Sequence, residues 1–406
     1  VSLLARVRAA TPGVAWETAL PARVAPAEAP SVALTRIARR LAIELDGASR
    51  TVVVLNDESR ETNPDLVATV VRAARGASKA VSILFARGSH ALLPRETLDA
   101  CSDAAFARLG PEEKGGLTIA HHDARAPGVP FQGVELDRLV VEADKVLALG
   151  SVEPHYFAGW TGAHKTATIG VMGLAGIEAN HAHALEPGSR TLALEGNPVF
   201  DGIARVAEAL GDRLVCVNET KVEGRLLAWG VGKWRPALEA VLPAARLAFV
   251  RDVSGPVDLL VASVEGALAR SLYQAEKGIK NSEDCVAAGG SVVLHARCGD
   301  GIGPSRFLEL LAAARSHAGV LEHVRANGYR LGDHKAVKLR ALEARGVAIH
   351  LACPELASSP DAARVRGAGL ALHGSLEAAL EAAIEREPRR ALLVEDAGNL
   401  VARLST

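Results

Sequence analysis

The densest gathering of reactive side chains lies between Gly150 and Leu185, where His155, His164, Lys165, His181 and His183 are interleaved with glycines. Imidazoles near neutrality can move protons or bind a metal, and an amine can form a covalent link. Glycines among them let backbone approach a ligand closely. The same stretch also reads as glycine-rich turns carrying surface histidines. Standard nucleotide motifs do not decide the matter. GWTGAHKT ends like a phosphate loop, but His164 rather than glycine precedes Lys165, and no G-x-G-x-x-G follows a strand. Neither H-E-x-x-H nor H-x-E is present for zinc hydrolysis or deamination.

The elements that must position these residues are legible as alternating patterns. Apolar, β-branched runs at 51–56, 79–88, 116–123 and 143–150 predict strands, with a helix over 65–77 between the first two. The second half repeats the style, with strands predicted at 257–264, 291–298, 346–353 and 391–396. This alternation predicts an α/β protein of two α/β domains with largely parallel sheets and an active-site cleft between them. The expected domains are 1–252, holding a cofactor, and 253–406, adding residues on the substrate side, with 251–258 and its Gly-Pro pair as hinge. Ligands of such sheets collect at the carboxyl ends of strands. Asp57, Arg60, His90 and the stretch after Gly150 fall there.

Composition narrows the class. At 406 residues the chain exceeds what one core usually organises. Its 49% hydrophobic and 23% charged residues are ordinary, so pattern must carry the argument. A net charge of −1 gives no footprint for nucleic acid. Five scattered cysteines, none at C-x-x-C spacing, argue against a disulfide framework or a thiolate zinc site. With no long apolar run and no signal-peptide core, the expectation is a cytoplasmic protein with no membrane partner.

Five blocks together resemble the lactate racemase family. NDESR (56–60) is similar to its D-x-[ST]-R element, and ARGSH (86–90) to its A-x-G-x-H element. EPHYFAGWTGAHK (153–165) resembles its E-P-H-Y-x-A-G-x-x-G-G-x-K element, NHAH (180–183) its asparagine-histidine pair, and LYQAEKG (272–278) its Y-Q-x-x-K element. The resemblance implies a nickel-pincer nucleotide, nickel bound to pyridinium-3-thioamide-5-thiocarboxylic acid mononucleotide, attached covalently at Lys165 and made by dedicated biosynthesis enzymes. It implies racemisation or epimerisation of a small 2-hydroxy acid by hydride transfer, with His90 and His155 as alternating acid and base. His181 is the implied nickel ligand, with His183 as an alternative. Asp57, Arg60, Tyr273 and Gln274 are implied beside the cofactor. Arg60, Lys277 and Gln274 are implied on the substrate.

The departures from the family pattern bear on substrate. Ala163 and His164 replace a glycine pattern before Lys165, and the added methyl is expected to narrow the approach to a cofactor phosphate. Where lactate-specific relatives carry a late tryptophan in D-Q-W, this chain has GDHKA (332–336). An aromatic wall suits a methyl group, whereas His334 and Lys335 suit a polar or anionic substituent. Lys335 is therefore expected to touch substrate, and a hydroxy dicarboxylate or a sugar acid is expected in place of lactate. The alternatives are a protein that binds the cofactor or a hydroxy acid without turnover, and a redox enzyme on the same fold.

Overall fold

Strands buried on both faces must be apolar throughout rather than alternating, and Arg50–Asn56 is buried without a break from Thr51 to Leu55. It sits inside a six-stranded sheet in the order Arg225–Gly232, Leu214–Val222, Lys145–Ser151, Arg50–Asn56, Ala80–Ala86, Thr118–His121. All neighbours are parallel except the antiparallel edge strand Arg225–Gly232. Helices Pro30–Glu44 and Pro64–Ala77 cover one face, burying Ile37, Leu41, Leu66 and Val70 against Val53 and Leu55. Asn63 caps the second of these helices through the Asp65 and Leu66 amides, and Pro64 starts it.

The computed structural model describes residues 2–22, 24–58, 60 and 62–405. Its second six-stranded sheet runs Ala15–Ala19, Arg390–Val394, Val257–Ser263, Val286–His295, Ala348–Ala352, Ala371–His373. Every pairing in it is parallel. The fold is thus the expected pair of α/β units.

The expected boundary needs one correction. Residues 15–19 do not stay with the first unit: they pair in register with 390–394, and Val7 of the preceding helix packs beside Leu259, Val261 and Leu393. An unpaired edge at 390–394 would expose backbone donors and acceptors, and the chain's first strand covers it. The segment expected as a hinge is also partly regular. Val250–Val253 pairs with Val401–Leu404, leaving the Ser254-Gly255-Pro256 turn to lead into the second sheet.

In both sheets the chain reverses its winding direction once. In the first, winding runs outward from 50–56 through 80–86 to 118–121, then resumes on the other side with 145–151. In the second, it runs from 257–263 outward to 371–373 and returns beside it with 390–394. A crevice opens at such a switch point, beyond the carboxyl ends of the two diverging strands.

Candidate active site

A cavity of about 660 Å³ is lined by the loops that leave both switch points. From the first sheet come Asp57 and Arg60, after 50–56, and Glu153 and His155, after 145–151. From the second come Tyr273, Gln274 and Lys277, after 257–263, and Asp396 and Asn399, after 390–394. His90, Lys165, His181 and Lys335 complete the wall. Every residue expected at the site from sequence borders this one space except His183, the alternative nickel ligand.

His90 follows the strand Ala80–Ala86 through a turn at Gly88, which has φ +53° and donates its amide to the Gly170 carbonyl at 2.9 Å. The buried Arg87 guanidinium fixes this turn by gripping both oxygens of Glu58 at 2.6 and 2.9 Å and the Ala91 carbonyl at 3.0 Å. The His90 ring donates from Nδ1 to Asp57 Oδ2 at 2.6 Å. That contact holds the neutral ring with Nε2 as its free acceptor. Arg60 pairs with Glu153.

His155 is buried and stacks on Tyr156 at a ring separation of 5.4 Å. Phe157 meets the rings of His155, His181 and His334 edge-on at 4.5, 5.0 and 5.0 Å. The Ala158 amide donates to His155 Nδ1 at 3.3 Å, which leaves the ring hydrogen of the neutral form on Nε2. Burial holds the His155 pKa well below the usual histidine value, reinforced by Lys165, Lys277 and Arg60.

Lys165 stands on the four-residue helix Ala163–Thr166, enclosed by protein yet bordering the cavity. Burial, with Arg60 nearby, lowers its amine to about 7, Asp57 opposing the shift. The helix is set by the Asn218 Oδ1 bond to the Ala163 amide at 2.7 Å. Ala163 is fully buried in the apolar core, and it does not border the cavity. The expectation that its methyl narrows the cofactor approach is corrected accordingly: the side chain points into the core. His164 is likewise buried against Phe200 and Trp234.

His181 is on the helix Leu174–Ala182 and borders the cavity, with Nδ1 buried and unpartnered among the described residues. Burial and Lys165 lower its pKa to about 3, so the ring is neutral. His183 instead pairs with Glu186 on the exposed side, 2.5 Å away, and does not line the cavity.

Two family profiles match this chain. The one described as the lactate racemase N-terminal domain covers residues 31–192, and the one described as the lactate racemase C-terminal domain covers 254–392. The chain belongs to the lactate racemase family. Among curated proteins it is 25% identical over 307 residues to a lactate racemase of Thermoanaerobacterium thermosaccharolyticum, spanning 71% of this chain and 70% of that one. It is 24% identical over 217 residues to the lactate racemase of Lactiplantibacillus plantarum, spanning 52% and 46% respectively. The solved lactate racemase apoprotein of T. thermosaccharolyticum superposes with a TM-score of 0.80 at 20% identity, covering 98% of this chain and 96% of that one. A Thermotoga maritima protein superposes with a TM-score of 0.68 at 15% identity, covering 92% and 98%. These two likenesses establish the shared fold. As a lactate racemase family member the chain is an isomerase.

The residues present fit the nickel-pincer nucleotide that the family resemblance implies. Acyl transfer to an amine needs the neutral form, which Lys165 reaches near pH 7. Nickel accepts neutral imidazole, and His181 offers one at the cavity wall. Sequence reasoning missed Glu58 with Arg87, Glu153, Asp396 and Asn399. Asn399 donates to both Asp396 oxygens at 3.0 and 3.2 Å, and burial raises the Asp396 pKa to about 6. The signal that could have found this pair was position, since D-A-G-N starts at the last residue of the predicted strand beside the second switch point. Among the described residues no helix is long and apolar enough to cross a membrane.

Proposed function

We propose that this lactate racemase family member inverts the hydroxyl-bearing carbon of a 2-hydroxy acid more polar than lactate. The observation that carries the reading is that His90 and His155 border one cavity together with Lys165 and His181. Lys165 would tether the nickel-pincer nucleotide and His181 would ligate its nickel, with Tyr273 and Gln274 beside it. When bound, that group supplies a reversible acceptor for the carbon-bound hydrogen as hydride.

The chain's own residues do the rest. Arg60 and Lys277 hold the substrate carboxylate, Arg60 being oriented by Glu153. His90, its Nδ1–H held by Asp57, takes the hydroxyl proton of one enantiomer on Nε2. His155 carries its resting hydrogen on Nε2 and serves the hydroxyl oxygen from its own side of the cavity. For the opposite enantiomer His155 carries its ring hydrogen on Nδ1, giving up the Ala158 amide bond, so that Nε2 takes the hydroxyl proton while protonated His90 returns its own from Nε2. Dedicated biosynthesis enzymes would supply the cofactor, in the cytoplasm.

The test is to produce the full chain together with cofactor-making enzymes. Intact mass, nickel content and chiral chromatography of 2-hydroxy acids are then measured. The reading expects an adduct at Lys165, bound nickel and inversion, lost in His90→Ala and His155→Ala. Adduct and nickel without any inversion would make the protein a cofactor carrier. An unmodified Lys165 without nickel would overturn the cofactor assignment.

A further inference from the structure

Sequence leaves two substrate classes, a second carboxylate or a run of hydroxyls, and the cavity wall around Lys335 discriminates between them. Lys335 Nζ donates to Glu276 Oε2 at 2.9 Å, and both side chains are almost wholly buried. The ammonium also lies 4.4 Å from the Tyr273 ring centre and 5.0 Å from that of Tyr156. Its charge is thus already balanced by a carboxylate and two aromatic faces. A substrate carboxylate brought to Lys335 would stand close to Glu276 in a poorly solvated place, where like charges repel strongly. Lys277, by contrast, is in no ion pair among the described residues and is the better receptor for a carboxylate.

Two further observations on this wall concern hydroxyl groups. The Tyr156 hydroxyl is 2.9 Å from His334 Nε2, and the Tyr329 hydroxyl is 2.6 Å from His334 Nδ1. With a hydroxyl on each of its ring nitrogens, His334 can donate at one and accept at the other. The chain of three groups can therefore run in either direction. In one the Tyr156 hydroxyl has its hydrogen free for the cavity, and in the other it offers only lone pairs. A substrate hydroxyl, itself donor and acceptor, satisfies both. Beside it, Gln274 borders the cavity and its Oε1 is buried without a hydrogen-bond partner among the described residues. Neither a methyl nor a carboxylate can donate to that oxygen, but a hydroxyl can.

We propose that Tyr156, Gln274 and Lys335 form a subsite for the chain hydroxyls of a polyhydroxy monocarboxylic acid, and that His334 orients Tyr156. This rests on the inversion chemistry proposed above and names its substrate class.

The experiment gives the cofactor-loaded full chain lactate, malate and gluconate separately and measures kcat/KM for inversion at carbon 2. Equilibrium binding of each acid is followed by saturation-transfer NMR. A site built to bond hydroxyls discriminates strongly against analogues that lack them, so gluconate should exceed both others by about 100-fold or more. Malate or lactate turned over as well as gluconate would overturn the subsite and leave the inversion reading intact. If nothing is inverted although Lys165 is modified, the inversion reading fails. Selective retention of gluconate would then still uphold the subsite, and binding without preference would remove it. Tyr156→Phe should lower the gluconate-to-lactate ratio of kcat/KM at least tenfold, or about 1.4 kcal/mol. Gln274→Leu should do the same and serves if the first variant does not fold. Equal losses on both acids would assign these residues to structure alone.

Discussion

His90 and His155 are chemically unequal because their Nδ1 atoms meet opposite partners, a carboxylate oxygen at 2.6 Å and a backbone amide at 3.3 Å. The resemblance implied Asp57 beside the cofactor, and the observed bond adds a positioning role toward His90. Asp57→Asn should then lower kcat about 100-fold with little change in KM. Nickel content and the Lys165 adduct should be retained, and their loss would return Asp57 to cofactor binding. Lys165 gives a second residue-scale expectation. With its amine at about 7, the reactive neutral fraction rises about tenfold per pH unit below that value and levels above it. Acylation of the cofactor-free protein by a small amine-reactive ester, followed at the Lys165 peptide, should show that plateau. A rate still climbing steeply from pH 8 to pH 10 would contradict it. These residues were legible because each sits in a local motif. The Glu58–Arg87 and Arg60–Glu153 pairs were not, since partners 29 and 93 residues apart leave no local pattern.

The helix Ala163–Thr166 shows how an element too short to be stable alone is held in place. It lies against the strand Lys145–Ser151, and a Cβ on Gly150 would stand 2.4 Å from the Ala163 nitrogen. The strand end therefore needs glycine for close approach, and Asn218 from the adjacent strand completes the seat. Gly150→Ala must push the helix outward, at a cost of about 1–3 kcal/mol. Because Lys165 rides on that helix, adduct formation should fall much more than stability does. Comparing urea midpoints with adduct yield checks this, and full adduct at reduced stability would sink the idea. Eight of the twelve strands in the two sheets were legible from their apolar runs, whereas 15–19, 214–222, 225–232 and 371–373 were not. This helix was not, because four residues carry no periodicity and tertiary contacts alone define them.

At the scale of the whole molecule, sequence pattern conveyed two parallel α/β units but not that residues 15–19 belong to the second one. A five-residue strand such as Ala15–Ala19 is too weak a signal to announce a partner nearly four hundred residues away. The same long-range assembly buries a carboxyl that no local rule would have placed inside. Glu219, on the strand Leu214–Val222, is almost fully buried, and burial, helped by Glu153, raises its pKa to about 7. An unfolded glutamate titrates near about 4.3. Between those values the folded chain keeps a proton that the unfolded chain has released, so stability falls as pH rises through that window and is level above it. Burial of Asp396, at about 6, adds a smaller decline in the same direction. Glu219→Gln keeps the shape and removes only the first contribution. Its stability relative to the parent, from urea unfolding, should grow by about 2–3 kcal/mol between pH 5 and pH 8. A difference that does not change with pH would mean that Glu219 is ionised in the folded protein, and that its neighbours stabilise the charge rather than exclude it.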